Sequence, residues 1–184
     1  MFKINYQIIE NEEDLQLLSS DELDAYNLEG NIELEVNDKR YGYYKKEPLL
    51  PGQEGFDLLM VWFDELLDIL IKLEQQKNYV AFFVMDRYAT WVEFRRLNIE
   101  RVSISIIEYH APCGTDLVIT EEPKNTNPSF WSNEVVSYKE LRDEILTKTN
   151  QYLDELVTIN NAFMDSKTFM RFMQKIQLIR YLSA

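Results

Sequence analysis

The sequence predicts an α+β fold in which an antiparallel sheet packs on a central apolar helix and two helices follow in the carboxy-terminal third. Three observations predict it: short segments of alternating hydrophobicity, a long apolar segment of helical period between them, and renewed helical period after residue 137. With 184 residues, of which 46% are hydrophobic, the chain suffices for one well-filled core. We therefore expect residues 1–184 to form a single globular domain.

The amino-terminal segments have the alternation of β-strands. Residues 2–9 alternate apolar and polar side chains and predict a first strand, whereas the acidic residues 10–29 predict a loop that includes a short helix. Residues 32–36 alternate strictly, and residues 39–44 resume the pattern after Asn37-Asp38, two residue types that tolerate positive φ. This segment therefore predicts a β-hairpin with a two-residue turn.

The middle of the chain predicts a buried helix followed by strands. Apolar residues of the helix predicted over 56–75 sweep roughly two-thirds of its circumference, which is typical of a helix packed on several sides. Strands are predicted over 79–85, 90–95 and 101–109, with a further short one at 117–119. Strands that follow one another through short turns favour an antiparallel sheet.

The carboxy-terminal third has the period of amphipathic helices. Ser137 and Glu140 have the spacing of a capping box at the start of a helix with an apolar face from Tyr138 to Ile159. A last helix is predicted over 166–182. The side opposite its apolar face carries three basic residues, which we interpret as a solvated face able to pair with the acidic amino-terminal region: Lys167, Arg171 and Lys175.

Negative charge is concentrated near the amino terminus. Eleven acidic residues and no lysine or arginine lie between Ile4 and Asp38, in a chain whose net charge is −13. Self-repulsion in such a region costs stability, whereas a focused negative field raises the encounter rate with a basic partner. The charge pattern therefore favours a binding function directed at a basic molecule.

Several classes of partner and ligand are disfavoured. The five glycines lack the spacing of phosphate-binding loops, and a net negative chain is poorly suited to nucleic acid. The longest apolar-rich stretch, residues 56–73, is too charged to cross a bilayer, and the amino terminus has no apolar core of a secretory signal. We expect a cytoplasmic protein that binds neither nucleic acid nor membrane, while its oligomeric state stays open.

The sequence offers few residues for nucleophilic or metal chemistry. Its only histidine, His110, precedes Cys113 by three positions in a turn that contains Pro112 and Gly114. We interpret this segment as a loop with an incidental histidine and a packed cysteine. One histidine and one cysteine also fall short of the ligands of a zinc site, so we expect neither metal nor cofactor.

Carboxylates are abundant enough to suggest two other sites. Asp57, Asp64 and Asp68 share one face of the predicted central helix, where a solvated stripe explains them better than a divalent cation. Asp86 ends one predicted strand and Glu93 lies in the next, across a turn. These two residues are the best acid and base that the sequence offers for a hydrolase.

Part of the chain resembles a known group of proteins. The resemblance spans about residues 32–109 and is carried by Tyr41-Gly42-Tyr43-Tyr44, Gly55-Phe56-Asp57-Leu58-Leu59, Trp62-Phe63, Leu66-Leu67, Tyr79-Val80-Ala81-Phe82 and Trp91-Val92-Glu93-Phe94. These segments resemble small acidic proteins of Firmicutes, of the type encoded as immunity proteins beside polymorphic toxins. The resemblance implies a protein that neutralises a toxin by tight association, and it transfers no functional residue.

The sequence thus favours a binding protein, an immunity-type stoichiometric inhibitor of a partner toxin, over an enzyme. A carboxylate-dependent hydrolase and an adaptor without a toxin partner stay open as alternatives. We predict that the partner surface consists of acids from the amino-terminal region and two tyrosines of the hairpin: Glu12, Glu13, Asp14, Asp21, Glu22, Asp24, Tyr43 and Tyr44.

Overall fold

The α+β class, the antiparallel pairing and the buried central helix predicted from the sequence are confirmed in the computed structural model. The structure describes residues 1–26, 28–45, 57–85 and 87–183. One feature differs from the prediction, because the strands form two antiparallel sheets and not one. Within the described residues, no helix is both long and apolar enough to span a membrane.

The first sheet is built around the predicted hairpin. It contains β1 (Phe2–Ile8), β2 (Glu29–Val36), β3 (Lys39–Gly42) and the two-residue strand β4 (Asp57–Leu58), with β2 paired to the other three. Asn37 and Asp38 form the turn between β2 and β3 with φ of 47° and 70°. The predicted two-residue turn is therefore present, and its residues adopt the positive φ that this turn requires.

A glycine ends the hairpin because no side chain fits there. Gly42 has φ of +97°, and a β-carbon at this position would collide with the carbonyl oxygen of Ile32. The next residue, Tyr43, donates its backbone N–H to that same oxygen at 3.0 Å. Gly42 thus allows the chain to leave the sheet while Tyr43 stays hydrogen-bonded to it.

The second sheet takes up the later strands. It contains β5 (Tyr79–Phe83), β6 (Thr90–Arg96), β7 (Arg101–Glu108), β8 (Val118–Ile119), β9 (Asn127–Pro128) and β10 (Glu134–Ser137). Their order is β10-β7-β6-β5-β8, with β9 also paired to β7. The predicted strands near residues 79, 90, 101 and 117 are thus all present.

Five α-helices are described. They are α1 (Glu12–Gln16), α2 (Ser20–Ala25), α3 (Leu59–Glu74), α4 (Tyr138–Ile159) and α5 (Lys167–Leu182), with a 3-10 turn at Asn161–Asp165 between the last two. The central helix α3 begins at Leu59, later than predicted, because Asp57 and Leu58 pair with β2. The predicted start at residue 56 lies outside the described residues.

One core joins both sheets to α3, α4 and α5. Eleven of the 16 residues of α3 are buried, as the wide apolar arc predicts. Trp62 is 4% exposed and meets Phe82 of the second sheet edge-on at 5.1 Å between ring centroids. Phe63 stacks on Tyr152 of α4 at 4.6 Å. The helix is therefore enclosed by its neighbours.

The predicted capping box at the start of α4 does not form. Ser137 is the N-cap residue, but its side chain makes no capping hydrogen bond, and the N–H of Tyr138 donates to the carbonyl of Glu100 at 2.7 Å. A capping box is instead present at α2, where Ser19 and Glu22 bond to each other's backbone N–H. Ser137 is also the last residue of β10, where it pairs with Arg101 of β7, so its backbone is held in the sheet.

Candidate functional site

Helix α4 lies beside β1 and is fixed to it by hydrogen bonds. The backbone N–H of Ile4, on the outer edge of β1, donates to Glu144 Oε1 at 2.9 Å. At the end of α4, the Asn160 side-chain amide donates to the carbonyls of Leu15 and Leu18, at 2.8 and 2.7 Å. These bonds hold the first half of α4 beside β1 and the end of α4 next to α1.

A groove of about 580 Å³ opens where β1, α1 and α4 meet. Four carboxylates line it: those of Glu10, Glu12, Asp154 and Glu155. In the part of the chain that the structure describes, none of the four lies within ion-pair distance of a lysine, an arginine or the histidine. We call this surface the acidic groove.

One of these carboxylates has a fixed orientation. Glu10 accepts hydrogen bonds from the Tyr26 hydroxyl at 3.1 Å and from the N–H of Glu29 at 3.2 Å. Burial, and then the hydrogen bond to Glu10, raise the pKa of the Tyr26 hydroxyl. Tyr6 also lines the groove, and its pKa is raised by burial and then by the negative charges of Glu155 and Asp154. The local field of the groove is therefore negative.

The six acids predicted to bind a partner have different surroundings. Glu12 lines the acidic groove, and Glu13 and Asp14 are exposed in the same first turn of α1. Asp21 is exposed on α2. Glu22 is engaged in the capping box with Ser19, and it is also exposed.

Asp24 has a structural role at the start of α5. Its carboxylate accepts hydrogen bonds from the N–H groups of Lys167 and Thr168, at 3.1 and 2.8 Å, in the first turn of α5. Partial removal from water raises the pKa of Asp24, but these N–H groups outweigh that effect and hold the pKa below its usual value. Asp24 thus satisfies two of the N–H groups that a helix leaves unpaired at its start.

The two tyrosines lie beyond β3, on the other side of β2 from the acidic groove. Tyr43 is 46% exposed and Tyr44 is half-buried. Tyr43 bonds to the backbone of Ile32, which is paired with Tyr6 of β1. Since neighbouring strands lie about 5 Å apart, Tyr43 is about 10 Å from β1, the strand that lines the acidic groove, at the same level of the sheet.

Two residues of the groove were missed by sequence reasoning. Asp154 and Glu155 are 116 or more positions away from the acidic amino-terminal region that ends at Asp38, and both are exposed on α4. The sequence did contain one indication of their exposure: the two acids are adjacent, between Leu153 and Leu156, and lie outside the apolar face of α4. Periodicity predicts that they face water, but only the packing of α4 on β1 brings them to Glu12.

Two of the three basic residues predicted to form a solvated face on α5, Arg171 and Lys175, pair with α3, whereas Lys167 lies beside the amino-terminal acid Asp24. Lys175 Nζ lies 2.9 Å from Asp64 and 2.8 Å from Asp68, and Arg171 lies 3.4 Å from Asp64. The predicted solvated stripe on the central helix is therefore an interhelical ion-pair cluster. Asp57 is not part of it, since it lies in β4 and accepts from the N–H of Ile32 at 3.3 Å.

The carboxylate pair proposed for a hydrolase is not assembled by the described residues. Asp86 lies outside them, whereas Glu93 is buried and accepts from Arg95 at 3.2 Å. Arg95 also holds both oxygens of Glu122, at 2.6 and 2.9 Å. A carboxylate engaged in this way is less available as a general base.

The histidine and the cysteine lie in the segment that follows β7. His110 Nε2 lies 3.3 Å from Glu108, and Cys113 is exposed, which corrects the expectation of a packed cysteine. Thr115 bonds back to Pro112 and closes the turn that keeps Cys113 on the surface. Among the described residues, no three histidine, cysteine or acidic side chains are grouped so that they would hold a metal ion.

Comparison with protein-family models, with curated proteins and with solved structures found no match for this chain.

Proposed function

We propose that this protein is a cytoplasmic binding protein that associates with a basic protein partner, as an immunity-type stoichiometric inhibitor of a toxin. The observation that carries the proposal is the acidic groove. Its four carboxylates come from two distant parts of the chain and, among the described residues, are left without an ion-pair partner. Lysine or arginine side chains of a partner would supply the missing positive charge.

The loss of stability that the unpaired acids of the groove cause supports a role in binding. Like charges that converge on one concave surface repel one another, and this repulsion lowers stability. Some acids elsewhere on the molecule are neutralised, as Asp64 and Asp68 are by Lys175. Acids that stay unpaired raise the rate of encounter with a basic partner, which is the kinetic advantage that an inhibitor of a toxin needs.

The tyrosines of the hairpin have a different part in the proposal. Tyr43 has an exposed aromatic ring about 10 Å from β1, and an ordinary protein interface is wide enough to cover both the ring and the groove. Aromatic side chains contribute contact area at little cost in conformational entropy. In this proposal Tyr43, with Tyr44 beside it, anchors the partner once it is bound. The acids of the groove accelerate the first encounter with the partner.

A matched pair of variants tests the proposal. The groove variant carries Glu12→Gln, Asp154→Asn and Glu155→Gln, and the control variant carries the same loss of charge at three exposed acids elsewhere: Glu100→Gln, Glu121→Gln and Asp165→Asn. Each is used as bait in native cytoplasm, and the captured protein is identified by mass spectrometry. The wild type and the control should retain a basic partner that the groove variant loses.

Association kinetics with the captured partner then separate the two contributions. The groove variant should associate about tenfold more slowly at low salt, and added salt should slow the wild type towards the variant. Tyr43→Ala should instead raise the dissociation rate. Equal association rates for the groove and control variants at low salt would remove the argument for a basic partner.

Expression of the partner in a test strain distinguishes inhibition from an adaptor role. If the protein is an inhibitor, the partner should arrest growth when expressed alone, and wild-type protein should relieve the arrest. The groove variant should relieve it less than the control variant does. A captured partner that is harmless when expressed alone would favour the adaptor alternative.

A further inference from the structure

A second concave site lies on the outer face of the second sheet and shares no residue with the acidic groove. A cavity of about 400 Å³ opens between β5, β6 and the segment that follows β7. This volume is within the range of about 300 to 1,000 Å³ that is typical of small-molecule sites. Five of the eleven described residues that line it are aromatic: Phe83, Tyr88, Trp91, Tyr109 and His110. We call it the aromatic cavity.

The inner wall of the cavity is fixed by packing. Trp91 is 2% exposed and contacts Phe83 and Tyr109 with ring centroids at 5.3 and 5.8 Å. Its indole Nε1 donates to the carbonyl of Tyr109 at 3.0 Å. Because these contacts fix the orientation of the indole, the ring faces are arranged before any ligand arrives.

The rim of the cavity holds an aromatic ring that the fold does not bury. Tyr88 is 84% exposed, and its ring meets His110 edge-on at 5.2 Å. A tyrosine in this position adds nothing to the core, yet it extends the aromatic wall outward. A ligand in the cavity would cover it.

One carboxylate lines the cavity and a second lies at its edge. Asp116 lines it and is exposed, while Glu108 lies beside His110 at 3.3 Å. None of the described residues that line it is a lysine or an arginine. Aromatic faces and carboxylates both attract cations, so the wall and its charge select the same class of ligand.

Two of the backbone acceptors at the cavity are already occupied. The carbonyl of Tyr109 accepts from Trp91 and from the N–H of Ala111 at 3.1 Å. The carbonyl of Pro112 accepts from both the N–H and the hydroxyl of Thr115, at 3.1 and 2.7 Å. These two carbonyls are therefore unavailable to a ligand, and an alkylated ammonium group needs no hydrogen-bond acceptor.

We propose that the aromatic cavity binds an alkylated ammonium cation, of which a trimethylammonium group is the simplest case. The cation would lie against the ring of Tyr88, beside the wall whose packing Trp91 fixes, with Asp116 balancing its charge. This proposal does not depend on the proposed function, because it rests on different residues. The same group occurs in free choline-type molecules and in the side chain of trimethyllysine.

Calorimetric titration of the full-length protein tests the proposal with three probes. They are choline, a short peptide that contains trimethyllysine, and 3,3-dimethylbutan-1-ol, which has the shape of choline but no charge. At least one cation should bind about tenfold more tightly than the neutral alcohol, in keeping with a cation–π contribution. Tighter binding of choline indicates a free ligand as the source, and tighter binding of the peptide indicates a protein.

Two tyrosine variants provide the matched control. Tyr88→Ala should weaken binding of the cation about tenfold, whereas Tyr181→Ala, which removes a ring that is 80% exposed on α5, should leave it unchanged. Both positions are exposed, so thermal melts should show that both variants fold. Equal binding of choline and its neutral analogue, equal loss in the two variants, or failure of both cations to bind at millimolar concentration would overturn the proposal.

Discussion

The carboxylate of Asp24 in α2 accepts a hydrogen bond of 2.8 Å from the backbone N–H of Thr168 in α5, although 144 positions separate the two residues. A second bond, from the N–H of Lys167, reaches the same carboxylate at 3.1 Å. A negative charge at the start of a helix also interacts favourably with the helix dipole. Asp24 therefore connects the acidic amino-terminal region to the last helix.

The first prediction follows from this bond. Asp24→Ala should lower the free energy of unfolding by about 0.5 to 2 kcal/mol, the range for loss of a helix-capping oxygen. Asp21→Ala, which removes an exposed acid from the same helix, should change it by less than about 0.5 kcal/mol. Urea denaturation of both variants measures the difference, and equal losses would show that Asp24 does not stabilise α5.

The same contact predicts a dependence on pH. The pKa of Asp24 is below its usual value of 3.8 in the folded protein. Its contribution is therefore present above that value and is lost as the pH falls through the lower folded pKa. The difference in stability between wild type and Asp24→Ala should shrink below about pH 4 and stay constant from pH 5 to 8.

The second prediction concerns the ion pairs between α3 and α5. Lys175 has a side chain that is 18% exposed and lies between Asp64 and Asp68, whereas the side chain of Arg171 is 54% exposed. Lys175→Met should cost about 2 to 3 kcal/mol, because it leaves the partly buried Asp68 without its cation and Asp64 with only the more exposed Arg171. Arg171→Met should cost less than about 1 kcal/mol. Denaturant melts of the two variants would contradict this account if the losses were equal.

The third prediction concerns Glu65, a buried carboxyl on α3. Burial, and then the nearby charges of Asp68 and Asp64, raise its pKa from 4.5 to about 7, and one of its oxygens has no hydrogen-bond partner. The folded protein therefore binds this proton more tightly than the unfolded chain does. The contribution to stability is complete below about pH 4.5 and is lost as the pH rises through about 7.

Substitution of Glu65 should reveal this loss. Glu65→Gln should be more stable than the wild type by about 1 to 2 kcal/mol at pH 8, and the gain should disappear towards pH 4.5. The exposed Glu13→Gln serves as the control and should change the stability at pH 8 by less than about 0.5 kcal/mol. Thermal melts at a series of pH values measure both, and a gain for Glu65→Gln that did not vary with pH would contradict the assignment.

The fourth prediction tests the central position of α3. Trp62 is 4% exposed, so Trp62→Ala should create a cavity and cost about 3 to 5 kcal/mol. Leu178→Ala, at a position of α5 that is 40% exposed, should cost much less. A loss below about 1 kcal/mol for Trp62→Ala would show that α3 is peripheral.

Local patterns predicted most elements of the fold. The alternation of residues 32–36 and the pair Asn37-Asp38 predicted the hairpin, because strand period and turn propensity act over a few neighbouring residues. The wide apolar arc of the central helix predicted its burial for the same reason. Only Glu12 of the acidic groove, however, was among the predicted partner residues.

The division of the strands between two sheets could not be predicted in this way. Any strand with one apolar face can pair with several others, and the choice depends on contacts between distant segments. The role of Asp24 was hidden for the same reason, since nothing near it in sequence indicates that α5 begins beside it. Lys175 likewise has the appearance of a solvated residue until α5 packs on α3.

The sequence by itself determined the class of fold, the positions of its main strands and helices, and the excess of acids near the amino terminus. The tertiary structure decided which acids stay unpaired. Asp64, Asp68 and Asp24 were joined to α5, while Glu12 was brought to Asp154 and Glu155 on α4. The physical reason is that propensity and periodicity act locally, whereas ion pairing and groove formation depend on which distant surfaces meet when the core closes.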